Sequence, residues 1–444
     1  MTPRVLIAID VSRRELFGCT LLAQRLHTLG VSAICCSIHA FRSYAARYRP
    51  HAVVWPNAIT DLSGVAKRAQ VFIMPSESGN GQHEQIIMHA GTPAHPAYPA
   101  AVTRFYCWGA TMRDLLAGSG RWKPEQLLVT GSPATDHWLL PETPQPPEVT
   151  TVGITTTFRA LSNSITPART NYFWWLDKAE RRGNDGTYYV PPEHAESWLF
   201  FEASLARVMV GAVRHLQEHS SARVAIRPHP FERKSRYDFF HTLAPGRVTV
   251  SKRGTISEWL RSISILFTHA SGSALDAVIR GVPVVSLRGL LDPDAVRKIP
   301  PHFRYTYDAF LWQVNTLEDA MGLVERAGRR VLPPCQDPEG FRQFLAQYFA
   351  FPRSQPAAWQ IAEDIVRTLH AEPSPRSSQA TDGFRLRERA LAATPGATQA
   401  LALLRYLNGK RPGRMDIGAS YQPWRVWDRR EVRRAVRHVI ERSA

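Results

Sequence analysis

The sequence has few cysteines and no long apolar run. Its 444 residues include five cysteines, an odd number without Cys-x-x-Cys spacing, which argues against a disulfide framework and against a metal site. Apolar runs such as "VPVVSL" are the length of strands, far short of the roughly 20 residues that a membrane-spanning helix needs. The N-terminal "MTPRVLIAID" also lacks the successive regions of a secretory signal. These absences indicate a reducing, cytoplasmic compartment.

The first junction between a predicted strand and a predicted helix, "DVSRRELFG", lacks the glycines of a GxGxxG motif. Dinucleotide binding is therefore disfavoured. The junction carries Arg13, Arg14 and Glu15 instead. We expect these side chains to bind an acidic sugar or an anionic acceptor; the alternative is that they form only salt bridges.

What the sequence does contain is a repeated alternation of short apolar strands and amphipathic helices. "RVLIAID" predicts a strand, "VSRRELFG" a loop, "CTLLAQRLHTLG" a helix and "VSAICCSI" a second strand. The proline-rich "PETPQPPEV" predicts a linker, after which the pattern restarts at "TVGITTTF". The predicted fold class is α/β, with two Rossmann-like lobes (1–145 and 150–372), a cleft between them and a basic helical C-terminal extension (373–444).

Two further segments have open interpretations. Residues 172–192, rich in aromatic side chains and turns, are either a surface insertion or a lid. The net charge is +17, and residues 371–444 hold 15 Lys and Arg against 7 Asp and Glu, a net +8. The last predicted helix lines Val432, Val436, Val439 and Ile440 along one face. This extension is a solvated tail, a helix docked on the body, or a contact with an anionic membrane surface or a polyanionic substrate.

Candidate site residues follow the predicted strands, where ligands of open α/β sheets bind. In "RVAIRPHPFERKS", two prolines restrict the chain around His229. We expect His229 and Arg227 to bind one phosphate; the alternative is a turn histidine bonded to nearby backbone. In "FTHASGSALD", Ser271 and Ser273 are predicted to bind the same anion and Asp276 a ribose. The alternatives are simple helix capping and a solvent-facing aspartate.

A further strand end, "VFIMPSESGNGQ", carries Glu77 in a turn of small residues. A carboxylate at this position is suited to deprotonating an acceptor hydroxyl. The alternative is an ordinary capping or solvated glutamate.

With these residues in place, the chain resembles the GT-B glycosyltransferases. More narrowly, it is similar to bacterial surface-carbohydrate biosynthesis proteins related to the capsule Kdo transferases, the polysialyltransferases and the CDP-glycerol glycerophosphotransferases. The resemblance spans residues 4–370 and rests on "VSRREL", "YCWGATMRDLL", "VTGSPATD", "TTTF", "RPHP" and "SGSALDAVIRGVPVV" in that order. It implies that His229, Ser271 and Ser273 contact a CMP moiety, that Thr156 and Thr157 of "TTTF" also bind the donor, and that Glu77 is the catalytic carboxylate.

The resemblance further implies an N-terminal acceptor lobe, a C-terminal donor lobe and metal-independent transfer of a sugar from a nucleotide co-substrate. The expected donor is a CMP-linked acidic 2-keto sugar such as Kdo. The expected acceptor is a bacterial surface polysaccharide (capsule or lipopolysaccharide) or its lipid-linked precursor, at the inner face of the cytoplasmic membrane. Two alternatives stay open. A UDP-sugar epimerase would have "SGG" where this chain has "SGSALD", and a nucleic-acid-binding protein, which we do not expect, would have aromatics along a basic groove.

Overall fold

The computed structural model describes residues 2–371 except 11, 77–85, 87–90, 141–146, 159–191, 230–231, 233, 270 and 298–304. The described residues form two compact units, the first lobe (2–140 and 343–371) and the second lobe (147–342). The predicted C-terminal extension and residues 172–191 of the predicted insertion lie outside the described residues. Within the part of the chain that is described, no helix is both long enough and apolar enough to span a membrane.

The first lobe is built on six parallel strands. They are β1 (Arg4–Ile9), β2 (Ser32–Ser37), β3 (Ala52–Trp55), β4 (Gln70–Ile73), β5 (Arg104–Cys107) and β6 (Leu127–Val129). Their order in the sheet is β2-β1-β3-β4-β5-β6. Connecting helices are α1 (Ser12–Thr28), α2 (Phe41–Tyr48), α3 (Ser63–Ala66) and α4 (Ala110–Gly118), with 3₁₀ turns at Tyr98–Ala101, Pro124–Gln126 and Pro133–Leu139. Every residue of β3 and β4 is buried, as parallel strands covered on both faces require.

Helix α1 begins earlier than the sequence pattern indicates. "VSRRELFG" was expected to be a loop, but the helix starts at Ser12 and includes Arg14 and Glu15 in its first turns. Glu15 reaches back to accept the backbone N–H of Asp10, which satisfies a donor just before the helix. The predicted loop residues are therefore held on a regular element.

The second lobe repeats the arrangement with six more parallel strands. They are β7 (Thr151–Thr155), β8 (Arg223–Arg227), β9 (Val248–Val250), β10 (Ile265–Thr268), β11 (Val284–Ser286) and β12 (Trp312–Gln313). The order is β12-β11-β10-β7-β8-β9. Its helices are α5 (Pro192–His219), α6 (Phe239–Leu243), α7 (Ile256–Leu260), α8 (Ser273–Ile279), α9 (Pro293–Arg297) and α10 (Leu317–Gly328), with 3₁₀ turns at Lys234–Tyr237, Leu287–Leu290 and Thr306–Phe310.

These two sheets confirm the predicted fold class, an α/β protein with two Rossmann-like lobes. The cleft expected between the lobes stays a prediction. In the second lobe the chain moves outward from β7 through β8 to β9, and then returns to place β10 on the other side of β7. The direction of strand addition therefore reverses between β7 and β10. Ligands of such sheets bind at the carboxyl ends of the strands beside this reversal.

The last two helices are α11 (Pro338–Phe349), which crosses the boundary between the two units, and α12 (Ala357–Ala371), which packs on the first lobe. Ala358, Ile361, Ala362 and Ile365 of α12 are fully buried in the same core cluster as β1 and α1. The predicted second lobe extended to residue 372, so the boundary differs from the prediction. The helical spacing of these apolar residues indicates a buried face but does not indicate which sheet it covers.

A buried ion pair fixes α12 to the first lobe. The Asp136 carboxylate accepts hydrogen bonds from the backbone N–H groups of Ala357 (2.8 Å) and Ala358 (3.0 Å), at the start of α12. It also lies 2.7 Å from Nη2 of Arg353, and both side chains are almost completely buried. Burial raises the pKa of Asp136, while the guanidinium and the two N–H groups act in the opposite direction. The charge is thus buried together with its partners, as buried carboxylates generally require.

We expect Asp136→Ala to destabilise the first lobe by about 3 to 5 kcal/mol, because the variant leaves the Arg353 guanidinium buried without its counter-charge. Hydrogen exchange of the peptide that covers α12 should accelerate, and the urea midpoint should fall. Asp114→Ala is the matched control, since that carboxylate pairs with Arg113 at the surface and should change little. Unchanged protection of α12 in Asp136→Ala would contradict the assignment.

Candidate functional site

A cluster of four hydroxyl groups lies at the carboxyl ends of β7 and β10. The Oγ atoms of Ser271 and Ser273 are 2.8 Å apart. Ser273 donates to Oγ1 of Thr155 (3.1 Å), which in turn lies 2.8 Å from Oγ1 of Thr268. We call Thr155, Thr268, Ser271 and Ser273 the hydroxyl cluster. It stands where the direction of strand addition reverses, and it brings together the two serines that the sequence singled out.

The Ser271 end of this cluster is held by Tyr307. The Tyr307 hydroxyl donates to the carbonyl oxygen of Ser271 at 2.7 Å. Burial raises the pKa of Tyr307 well above its ordinary value, so the hydroxyl stays protonated and remains a donor. Asp276, on α8, is half-buried, and its charge also raises the pKa of Tyr307. The ribose contact expected of Asp276 stays a prediction.

His229 follows β8, the strand next to β7, and its backbone is anchored. Its N–H donates to Oε2 of Glu232 (3.1 Å) and is 3.4 Å from Oγ1 of Thr156. The imidazole is partly exposed beyond this anchor. The histidine loop and the loop after β7 are therefore joined through the same two side chains.

Glu232 is a buried carboxylate that the sequence analysis missed. Only 1% of the residue is exposed, and it accepts hydrogen bonds from the Thr156 hydroxyl, the Phe158 N–H and the Tyr237 hydroxyl in addition to His229. Burial raises its pKa, and these four donors act in the opposite direction. Its position two residues after "RPHP" was the only signal in the sequence, and a glutamate in a polar loop does not by itself indicate burial.

Thr156 bonds within the protein, and its predicted donor contact stays a prediction. Its hydroxyl donates to Glu232 and lies 3.0 Å from the hydroxyl oxygen of Tyr237, so it helps to hold the loop. Thr157 is buried as well, and its donor contact stays a prediction. Within "TTTF" it is Thr155 that belongs to the hydroxyl cluster.

The described hydrogen bonds of Arg227 go to main-chain carbonyl groups, and its predicted contact with phosphate stays a prediction. Its Nη1 donates to the carbonyl oxygen of Arg253 (2.9 Å) and its Nη2 to that of Gly254 (2.8 Å). The guanidinium carbon lies 5.9 Å from the ring centroid of Trp259. These contacts direct the side chain to the loop between β9 and α7, which lies 26 residues further along the chain.

A buried histidine lies between the end of β10 and the serines. His269 is 5% exposed, its ring stacks on that of Phe158 at 5.7 Å, and its Nε2 has no hydrogen-bond partner among the described residues. Burial lowers the pKa of His269 to about 3, so the ring is neutral at physiological pH. The motif "HASGS" begins with His269, but the sequence alone does not show whether this side chain packs in the core or contacts a ligand.

In the first lobe, the end of β1 faces the segment that leads to Glu77. Nη2 of Arg14 lies 3.2 Å from Oε1 of Glu15 and 3.5 Å from Oγ of Ser76. Glu15 is almost fully buried. A small pocket here is lined by Glu15, Cys19, Met74, Pro75, Ser76, Ser132, Pro133 and Ala134. Glu77 and the side chain of Arg13 lie outside what the structure describes, so the acceptor role of this group stays a prediction.

Among the described residues, no cluster of three or more potential metal ligands is present. An Asp-x-Asp sequence occurs at Asp292 and Asp294. Asp292 accepts the N–H of Asp294 at 2.7 Å, and Asp294 pairs with Arg297, so both carboxylates form local bonds at α9. The expected metal-independence stays a prediction.

No protein-family model matches the sequence, and no curated protein is similar to it. Among solved structures, the chain is similar to the UDP-GlcNAc 2-epimerase of Methanocaldococcus jannaschii, with 10% identity, 83% of this chain and 100% of that chain covered, and a TM-score of 0.47. The chain is also similar to the UDP-GlcNAc 2-epimerase of Neisseria meningitidis, with 10% identity, 84% of this chain and 100% of that chain covered, and a TM-score of 0.45. It is similar as well to the wall teichoic acid polymerase TagF, with 11% identity, 83% of this chain and 89% of that chain covered, and a TM-score of 0.48. At these values the similarity carries no residue role, ligand or activity over to this chain.

We expect Arg227→Ala to lower stability and to leave nucleotide binding within a factor of about 3. The lost bonds join the end of β8 to the loop after β9, and hydrogen bonds from a charged group contribute about 1.5 to 3 kcal/mol. Thermal unfolding and calorimetry with CMP measure the two effects. Arg223→Ala, at the exposed start of the same strand, is the control. A large loss of CMP affinity at unchanged stability would restore the phosphate role.

Proposed function

We propose that the chain is a glycosyltransferase and that its second lobe holds the phosphate of a nucleotide-linked sugar donor at His229, Ser271 and Ser273. The observation that carries the proposal is the hydroxyl cluster at the reversal between β7 and β10, with the anchored His229 loop on the adjacent strand. Hydroxyl and imidazole groups both donate hydrogen bonds to phosphate oxygens. The resemblance of the ordered motifs to those of surface-carbohydrate transferases implies the same task for these residues.

Within that class we propose a CMP-linked donor carrying an acidic 2-keto sugar such as Kdo. A CMP donor has one phosphate, so a few hydroxyl groups and one imidazole can satisfy its oxygens without a divalent ion. In the transfer, an acceptor hydroxyl oxygen forms a bond to the anomeric carbon while the bond from that carbon to the phosphate oxygen breaks. The electron pair stays with CMP, and the acceptor proton passes to a carboxylate.

We assign that carboxylate to Glu77, which follows Ser76 in the sequence. Arg14, at the start of α1, lies 3.5 Å from Ser76 and pairs with Glu15. They form the proposed contact for an anionic acceptor, a surface polysaccharide or its lipid-linked precursor. The net charge of +8 in residues 371–444 supports a position at an anionic membrane surface, where each basic residue contributes about 1 kcal/mol.

His229→Ala should weaken CMP binding by about 1.5 to 3 kcal/mol, the range for a hydrogen bond to a charged group. Calorimetry measures the change. His241→Ala is the matched control, because His241 is an exposed histidine of the same lobe, on α6. If His229→Ala and His241→Ala bind CMP as tightly as the unmodified protein, His229 does not contact the donor.

Glu77→Gln should reduce turnover by about 10²-fold or more and leave donor affinity within a factor of a few, because the amide cannot take the acceptor proton. Mass spectrometry with a panel of CMP-, CDP- and UDP-linked sugars identifies the donor and measures turnover. Glu125→Gln, an exposed carboxylate of the same lobe, should keep full activity.

The same panel separates the alternative functions. Conversion of a UDP-linked sugar to its C2 epimer without an acceptor would replace the transferase proposal with an epimerase. Tight binding of nucleic acid together with no consumption of any nucleotide sugar would replace it with a polyanion-binding protein.

A further inference from the structure

Glu232 joins the two loops that carry the proposed phosphate site. Two of its donors, the Thr156 hydroxyl and the Phe158 N–H, come from the loop after β7. A third, the His229 N–H, comes from the loop after β8, and the Tyr237 hydroxyl supplies the fourth. The carboxylate therefore connects segments that are 76 residues apart in the chain.

A carboxylate is suited to this position because its two oxygen atoms together accept about four hydrogen bonds. Oε2 accepts those of Thr156, His229 and Tyr237, and Oε1 accepts that of Phe158. At 1% exposure, Glu232 has almost no access to water that would replace a lost donor. Its burial is tolerated only while the protein donors stay in place. The backbone of Glu232 is fixed too, since its carbonyl oxygen accepts from Nζ of Lys252 at 2.7 Å. The network consequently restrains the loops on both sides.

These bonds link the His229 loop to the hydroxyl cluster. Thr156 is adjacent to Thr155, and Thr155 accepts the hydrogen bond of Ser273 in the hydroxyl cluster. A continuous path of bonds thus runs from Ser273 through the loop after β7 to Glu232 and on to the His229 N–H. Movement of the His229 loop away from the serines requires Glu232 to lose a donor.

We propose that Glu232 is a positioning residue of the phosphate site. It does not touch the nucleotide, but it holds the His229 loop to the loop after β7, so that His229 and Ser271, together with Ser273 once its hydroxyl turns from Thr155, donate to one phosphate. This inference rests on the proposed function, in which those three residues bind the donor.

A double-mutant cycle on CMP affinity tests the inference, with Glu232→Gln made both in the natural sequence and in the His229→Ala variant. In the natural sequence, Glu232→Gln should weaken CMP binding about tenfold or more, because an amide NH₂ replaces an acceptor oxygen among the donors. In the His229→Ala background, the same change should weaken it by less than about twofold, since Glu232 acts through His229. Equal losses in the two backgrounds, or no loss in either, would overturn the proposal.

Two further variants make the cycle specific. Glu258→Gln removes the carboxylate that caps α7 in the same lobe and should leave CMP affinity unchanged. Tyr237→Phe removes a single donor from Glu232 and should give a smaller loss with the same dependence on His229. It serves as the test variant if Glu232→Gln does not fold.

Hydrogen exchange without ligand separates this inference from the proposed function. The peptide covering residues 224–232 should exchange faster in Glu232→Gln than in the natural protein, because the His229 N–H loses its acceptor. Faster exchange with no CMP binding by the natural protein would mean that the loop is held as described but that the proposed donor is wrong. Unchanged exchange would refute the role of Glu232 whatever the ligand.

Discussion

A parallel strand that is buried on both faces can place polar side chains only near its ends, and this constraint governs both lobes. The inner residues of β7 are apolar or small. Its last residue, Thr155, supplies the hydroxyl group that belongs to the hydroxyl cluster. Thr268 is likewise the last residue of its strand, β10. In the first lobe, Glu15 comes after the end of β1 and accepts the N–H of Asp10. Because all strands of a sheet are parallel, these ends lie along one edge. The chemistry of each lobe is therefore confined to the loops that follow its strands.

Loops are flexible unless something fixes them, and in this protein buried carboxylates do so. Glu15 accepts the N–H of Asp10, Asp136 accepts two N–H groups of α12, and Glu232 accepts those of Phe158 and His229. Each carboxylate lies in a loop or first helical turn after a strand and bonds to main-chain N–H groups. Such bonds satisfy buried donors that have no partner in a sheet or helix. The three side chains give the strand ends a defined geometry at the cost of burying a charge.

The sequence allowed the two lobes and the principal loops to be predicted, since strand-length apolar runs alternating with amphipathic helices are local patterns. It also allowed Ser271 and Ser273 to be placed together, because they are two residues apart. The carbonyl acceptors of Arg227 could not be predicted in the same way, because Arg253 and Gly254 belong to a later loop. For the same reason, α12 was expected on the second lobe. Its partner Asp136 is more than 200 residues earlier in the chain.

Binding at the proposed phosphate site depends more on the direction of hydrogen-bond donors than on positively charged side chains. Two guanidinium groups at strand ends of the second lobe are bonded to other parts of the protein. Arg227 donates to two carbonyl oxygens, and Arg288 lies 3.3 Å from the carboxylate of Asp308. A positive charge attracts an anion from any angle, whereas a hydroxyl group contributes only when its hydrogen points at the oxygen atom. Hydroxyl donors must therefore be held in place before the ligand arrives. The bonds that join Ser273, Thr155 and Thr268 fix the oxygen positions of the hydroxyl cluster, and Glu232 fixes the loop after β8 that carries His229. Rigid loops are thus a requirement of binding phosphate with uncharged groups.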